Sequence, residues 1–223
     1  HFFACPTEKE TMADYRRYHT AGFYDPRKTY EGRHPRHPSD PECGHDAHVT
    51  HARVTKRRKR DALTGKLTFY DANGDAYEDF HPNLTPREIF QMGAFGGTYW
   101  RPIYCTVTEQ VHRNCHEEFP YLKRMAKRRV CSETYTPELN YFNVPCGASL
   151  DEWQSKGWIC ALDPYGWIQW YCRFYAGRRT MDDARQIKRW KGLAGSRGRF
   201  YRRTNKSPKI LQTLLHWAVL CEE

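Results

Sequence analysis

An α+β fold is predicted, mostly helical in its C-terminal half around an aromatic core, with a small β-hairpin and an extended N-terminal arm. Three observations carry this. The run 163–195 places Trp167, Trp170, Tyr171, Phe174 and Tyr175 at i, i+3, i+4, i+7 and i+8, an apolar stripe of helical period. The run Lys66 to Phe80 sets short β-forming stretches on either side of Asn73-Gly74, the favoured pair of a type I′ turn. From Asp25 to Arg60 prolines and histidines dominate, with too few apolar residues to offset the entropy of ordering a core. The chain therefore divides into an arm, 1–60, Pro/His-rich and then basic, and a globular domain, 61–223.

In chain order, Thr7 and Glu10 form a capping box for a short amphipathic helix ending near Gly22. Thr85-Pro86-Arg87-Glu88 combines an N-cap, proline at the first helical position and Glu at N3, so a helix starts at Pro86 and stops about Gly93. A second basic cluster, Lys123 to Arg129, is placed on a helix. Ser149 and Glu152 cap a short helix closed at Gly157, with Trp153 and Trp158 near its ends. Asp163 suits the N-cap of the aromatic helix, Pro164 its first position and Gly177 its left-handed end. Thr180 and Asp183 approximate a capping box for the next helix, whose outer face is expected to carry Arg185, Lys188 and Arg189. Ser207-Pro208 opens a final helix with Ile210, Leu211, Leu214 and Leu215 turned to the core.

The net charge of +10 points to a polyanionic partner. No window is apolar enough for a membrane span, which argues against a membrane partner. Nine dispersed cysteines with no C-x-x-C favour reduced thiols and an intracellular protein, nuclear or cytoplasmic.

No stretch spells out a reaction. From Arg173 to Lys209 there are thirteen Lys or Arg against two Asp, with Phe200 and Tyr201 interleaved. Basic side chains grip phosphates and aromatics stack on unpaired bases, so this region predicts contact with DNA or RNA. Its expected phosphate-binding residues are Arg178, Arg179, Arg185, Lys188, Arg189, Arg197, Arg199, Arg202 and Arg203. The run Arg57, Arg58 and Arg60 assists, read as a phosphate-binding arm, a nuclear-import signal or a solubilising linker. Cys43, His45, His48 and His51 could hold zinc, or form a solvated His-rich loop. Gly96 and Gly97, with Tyr99 and Arg101, read either as a tight turn packed under Tyr99 and Trp100 or as a ligand-facing turn. Asp163-Pro164-Tyr165 resembles the water-activating motif of uracil-DNA glycosylases, which makes Asp163 a catalytic candidate beside its capping role. Two further function classes therefore stand beside nucleic-acid binding. One is a nucleic-acid-modifying enzyme, glycosylase-like or metal-assisted. The other is a subunit of a larger assembly held through the N-terminal arm.

The blocks GAFGGTYWRPIY, LNYFNVP with SLDEWQSKGW, DPYGWIQWYCRFYAGRR, DDARQIKRWKG and SPKILQTLLHWA together resemble a family of uncharacterised microbial proteins. The resemblance covers about residues 83 to 220. It implies one fold unit there, assigns no catalytic residue, and leaves the segment before Lys66 outside.

Overall fold

The computed structural model describes residues 57–221 and the backbone of one further short strand, β1 (Ala52–Arg53). Next come β2 (Arg58–Arg60) and β3 (Leu67–Phe69), an antiparallel hairpin that aligns Arg58 with Phe69 and Arg60 with Leu67. The Asp61 carboxylate closes its turn by accepting from the backbone N–H and the hydroxyl of Thr64. Leu67 and Phe69 point inward, at 2% and 0% exposure. The expected turn at Asn73-Gly74 also forms, with the Asp71 carboxylate accepting from the N–H groups of Asn73 and Asp75. It closes only a single bridge, Tyr70 to Ala76, so the longer strand pairing lies upstream of it. The division after Arg60 thus cuts through a hairpin, and the run from Arg57 to Arg60 belongs to the folded body.

Helix α1 (Pro86–Met92) has the full capping box of Thr85 and Glu88 and ends at Gly93, as its signals predict. After a tight turn at Phe95–Gly97 the strands β4 (Ile103–Cys105) and β5 (Gln110–His112) pair antiparallel. The basic stretch that follows is split between two one-turn helices, α2 (Pro120–Lys123) and α3 (Lys127–Val130). Helix α4 (Leu150–Ser155) is capped by the Ser149 hydroxyl, which accepts from the Glu152 N–H.

Helix α5 (Trp167–Tyr175) starts later than its signals suggest, with Gly166 at φ +78° in the cap position. Asp163 and Pro164 instead form a turn closed by the Gly166 N–H on the Asp163 carbonyl at 2.7 Å. Gly177, at φ +104°, ends the helix as expected. Strand β6 (Arg178–Arg179) then pairs antiparallel with β1. Helices α6 (Asp183–Leu193) and α7 (Pro208–His216) complete the body.

Helix α5 is buried over most of its surface, with Trp167 to Cys172 and Phe174 all inside. Phe80 sits edge-on to its Trp167, Tyr171 and Phe174, and Trp190 of α6 lies 5.0 Å away. The polar tips of these rings are satisfied: Trp170 donates to Asp183, Tyr171 to the Leu84 carbonyl and Trp190 to the Trp217 carbonyl. Segment 218–220 is laced to the approach of α1. The Ala218 carbonyl accepts from Asn83 and Leu84 N–H, and the Asn83 side chain bonds both backbone groups of Leu220.

Among the described residues Cys105, Cys115, Cys131, Cys146, Cys172 and Cys221 are free thiols, and Cys160 is the exception, being disulfide-bonded. No helix among them is long and apolar enough to cross a membrane. The helix expected near Thr7 and the arm as a whole lie outside the described residues.

Candidate nucleic-acid interface

Three of the arginines expected on the outer basic face are drawn inside. Asp163 is fully buried and holds two guanidinium groups, Arg173 at 3.0 Å and Arg178 on its other oxygen. Arg173 also forks onto Glu118, which crosses from the segment before α2. Arg185, at 7% exposure, is bidentate on Asp182, and Gln186 donates to the same carboxylate. Arg179 lies 3.8 Å over the Phe174 ring and donates to the carbonyls of Phe174, Tyr70 and Arg178. Burial lowers its pKa, against the pull of the Asp183 charge. A buried guanidinium persists only with carboxylate or carbonyl partners, and these arginines have them. Asp163 is therefore neither the helix cap nor an open water-activating base.

The cations left outside are Lys188, Arg197, Arg199, Arg202 and Arg203, all exposed. Among the described residues none of them forms an ion pair with a carboxylate. Most stand on a loop folded back on the end of α6, where the Arg199 N–H donates to the Gly192 carbonyl and the Phe200 N–H to the Leu193 carbonyl. Gly198 is required there, because a Cβ would lie 2.5 Å from the Leu193 carbonyl carbon. Arg199 rests 4.7 Å over the Phe200 ring. Arg189 is half-buried, its guanidinium 5.4 Å from the Trp158 ring and 5.6 Å from Trp217. In the upstream run Arg57 is exposed, whereas Arg58 stacks on Tyr175 at 3.6 Å and Arg60 binds Glu88 and the Asn83 carbonyl.

A cleft of about 730 Å³ opens beside this loop, between α4, α6 and α7. Trp153, Trp158, Trp167 and Trp217 line it, with Lys188, Arg199 and Lys209 among its charged residues. Glu152 also lines it, and Lys156 pairs with that carboxylate. On its floor His216 stacks on Phe95 at 3.9 Å. The His216 Nε2 accepts from the Phe95 N–H at 3.1 Å and faces the Gln212 amide nitrogen at 3.0 Å. Two donors on Nε2 leave the proton of the neutral ring on Nδ1.

The Gly96-Gly97 turn is not ligand-facing. Added Cβ atoms would meet the Tyr135 ring at 2.5 Å and the Arg128 carbonyl oxygen at 2.0 Å. The turn's backbone is already engaged, Gly96 with the Asn140 side chain and the Thr136 N–H, Gly97 with the Ser132 N–H. Tyr99 contributes a ring to the cleft and anchors it through the Tyr165 carbonyl and Ile168 N–H. Arg101 is buried, its pKa lowered to about 10 by that burial.

Two buried groups near the cleft titrate in opposite senses. Burial lowers the His216 pKa from 6.5 to about 3, so the unfolded chain binds the extra proton and stability falls on acidification below 6.5. Burial raises the Asp183 pKa from 3.8 to about 6, against hydrogen bonds from Trp170 and Thr180, so stability falls as pH rises through that window. At ~1.4 kcal/mol per unit these contributions are on the order of 5 and 3 kcal/mol and largely offset between pH 4 and 6. Urea midpoints across that range are expected to fall with acid in Asp183→Asn, where only the His216 contribution is left, and to rise with acid in His216→Gln, where only the Asp183 contribution is left. Parallel profiles for all three proteins would contradict this assignment.

The zinc candidates Cys43, His45, His48 and His51 lie outside the described residues, and no group of three or more potential metal ligands forms among the described ones. Sequence reasoning missed the cleft, having placed Trp153 and Trp158 only near the ends of a short helix and turned the last helix to the core. The available signal was Gln212 and His216 at i, i+4 on an otherwise apolar helix face. Compared with protein-family models, curated proteins and solved structures, the chain matches none of them.

Proposed function

We propose that the protein binds nucleic acid, DNA or RNA, inside the cell, holding phosphates on Lys188, Arg197, Arg199, Arg202 and Arg203. One observation supports this most directly: these cations are exposed without carboxylate partners among the described residues, Lys188 on α6 and the four arginines on a segment whose backbone is pinned to the end of that helix. Their inward neighbours Arg178 and Arg185 are neutralised by aspartates and take no part. Phe200 and Tyr201 stand among these exposed cations, an arrangement suited to an unpaired strand, where bases stack on aromatic faces while phosphates meet the charges. With three phosphates engaged on a single strand, log affinity falls with log salt at a slope of about −2. Reversing Arg199, Arg202 and Arg203 to Glu is expected to weaken binding of a single-stranded oligonucleotide at least about tenfold at low salt and to flatten that slope. Affinity indifferent to ionic strength would end this reading. Zinc at Cys43, His45, His48 and His51 is a separate proposal, tested by the metal content of the purified protein.

A further inference from the structure

We propose that the cleft between α4, α6 and α7 is a binding site for a nucleobase carrying its phosphate, taken as a free mononucleotide or as one unit of an unpaired strand. Its volume, about 730 Å³, lies within the ~300–1,000 Å³ of small-ligand sites, and its lining has their usual character, aromatic with few placed polar groups. The indoles of Trp153, Trp158 and Trp217 line it, Trp217 stacked on Trp167 at 4.7 Å, and a planar ring entering the cleft would extend this aromatic packing. Lys188, Arg199 and Lys209 bring positive charge without carboxylate partners among the described residues, while Glu152, a carboxylate of the lining, is occupied by Lys156. Charge and flat apolar walls together select an anion attached to an aromatic ring. They do not suit an acyl chain, which needs no indole faces, or a bare phosphate, which needs no apolar wall. His216 on the floor adds orientation: with Nε2 committed to Phe95, its Nδ1–H has no partner among the described residues and can donate to an acceptor on a base edge.

The inference deepens the nucleic-acid reading by naming the place of the base, yet the two fail separately. Gly192 lines the cleft on the exposed side of α6, and a Cβ built on it meets nothing within 4 Å. Gly192→Phe therefore plugs the cleft and replaces a weak helix former without crowding the core. Arg202 and Arg203 do not line the cleft, and Arg202→Glu with Arg203→Glu reports on the phosphate grip alone. Thymidine 5′-monophosphate, followed by calorimetry, and a thymidylate strand of about twelve units, followed by anisotropy, are the probes. Thermal melting confirms that each variant is folded.

The expected result is that Gly192→Phe lowers affinity for both probes tenfold or more, whereas the Arg202/Arg203 reversal weakens only the strand. Loss of the mononucleotide with the strand unaffected assigns the cleft to a free nucleotide and sustains the inference. A blocked mononucleotide together with an inert Arg202/Arg203 reversal sustains the cleft and ends the loop-grip reading. Affinities of Gly192→Phe within about twofold of the parent for both probes, or no binding of either probe by the parent protein, overturn the inference.

Discussion

Asp163→Ala is expected to destabilise the fold by about 3–5 kcal/mol, the cost of removing one partner from a buried charge cluster. Arg173 would keep Glu118, but Arg178, at 12% side-chain exposure, would lose its carboxylate between α5 and β6. Since domains are stable by only ~5–15 kcal/mol, the loss should appear as a large drop in the urea midpoint. Asp163→Asn should cost less, because the amide oxygen still accepts from one guanidinium. If Asp163→Asn melted like the parent while an activity on nucleic acid vanished, the residue would be chemical and this structural account would be wrong.

Gly97→Ala is expected to be comparably damaging. At φ +81° a side chain costs roughly 1–2 kcal/mol from backbone strain alone. The new Cβ would also sit 2.0 Å from the Arg128 carbonyl oxygen, which belongs to α3. That helix is tied in turn to the Gly97 segment by Trp100 N–H on the Val130 carbonyl and Ser132 N–H on Gly97. Overlap should raise the total to about 3 kcal/mol or more, a fall in melting temperature of roughly 10 °C for a chain of this size. Gly74→Ala separates the two terms: at φ +91° with nothing within 4 Å of its Cβ it should show the strain alone. Equal losses at both positions would refute the overlap at Gly97.

What the sequence made legible was local. Thr85 with Glu88, Ser149 with Glu152, Gly177 and Ser207-Pro208 all mark helix ends where expected, because each signal is completed within a turn of backbone. What it hid was held by distant partners. Asp163 reads as an N-cap because proline follows it, yet its ligands come from α5 and β6. Leu67 to Phe69 pairs upstream with Arg58 to Arg60, although the Asn73-Gly74 turn is the more obvious signal. Arg185 looks solvated on a charge count, but Asp182 three residues earlier shares its side of the helix and takes it inside. The cleft escaped notice because its walls come from three helices and its aromatic side chains, read singly, are core-forming.

The lacing of residues 218–220 to Asn83 and Leu84 bears on how the polypeptide is made. Synthesis runs from the N-terminus at ~5–20 residues per second, so helix α1 leaves the ribosome several seconds before the strip that clasps its approach. Until translation has passed Leu220, those amides and the indole of Trp190, which needs the Trp217 carbonyl, wait without their final partners. Nascent chains stalled before that point should stay protease-sensitive, and become resistant together once it has emerged.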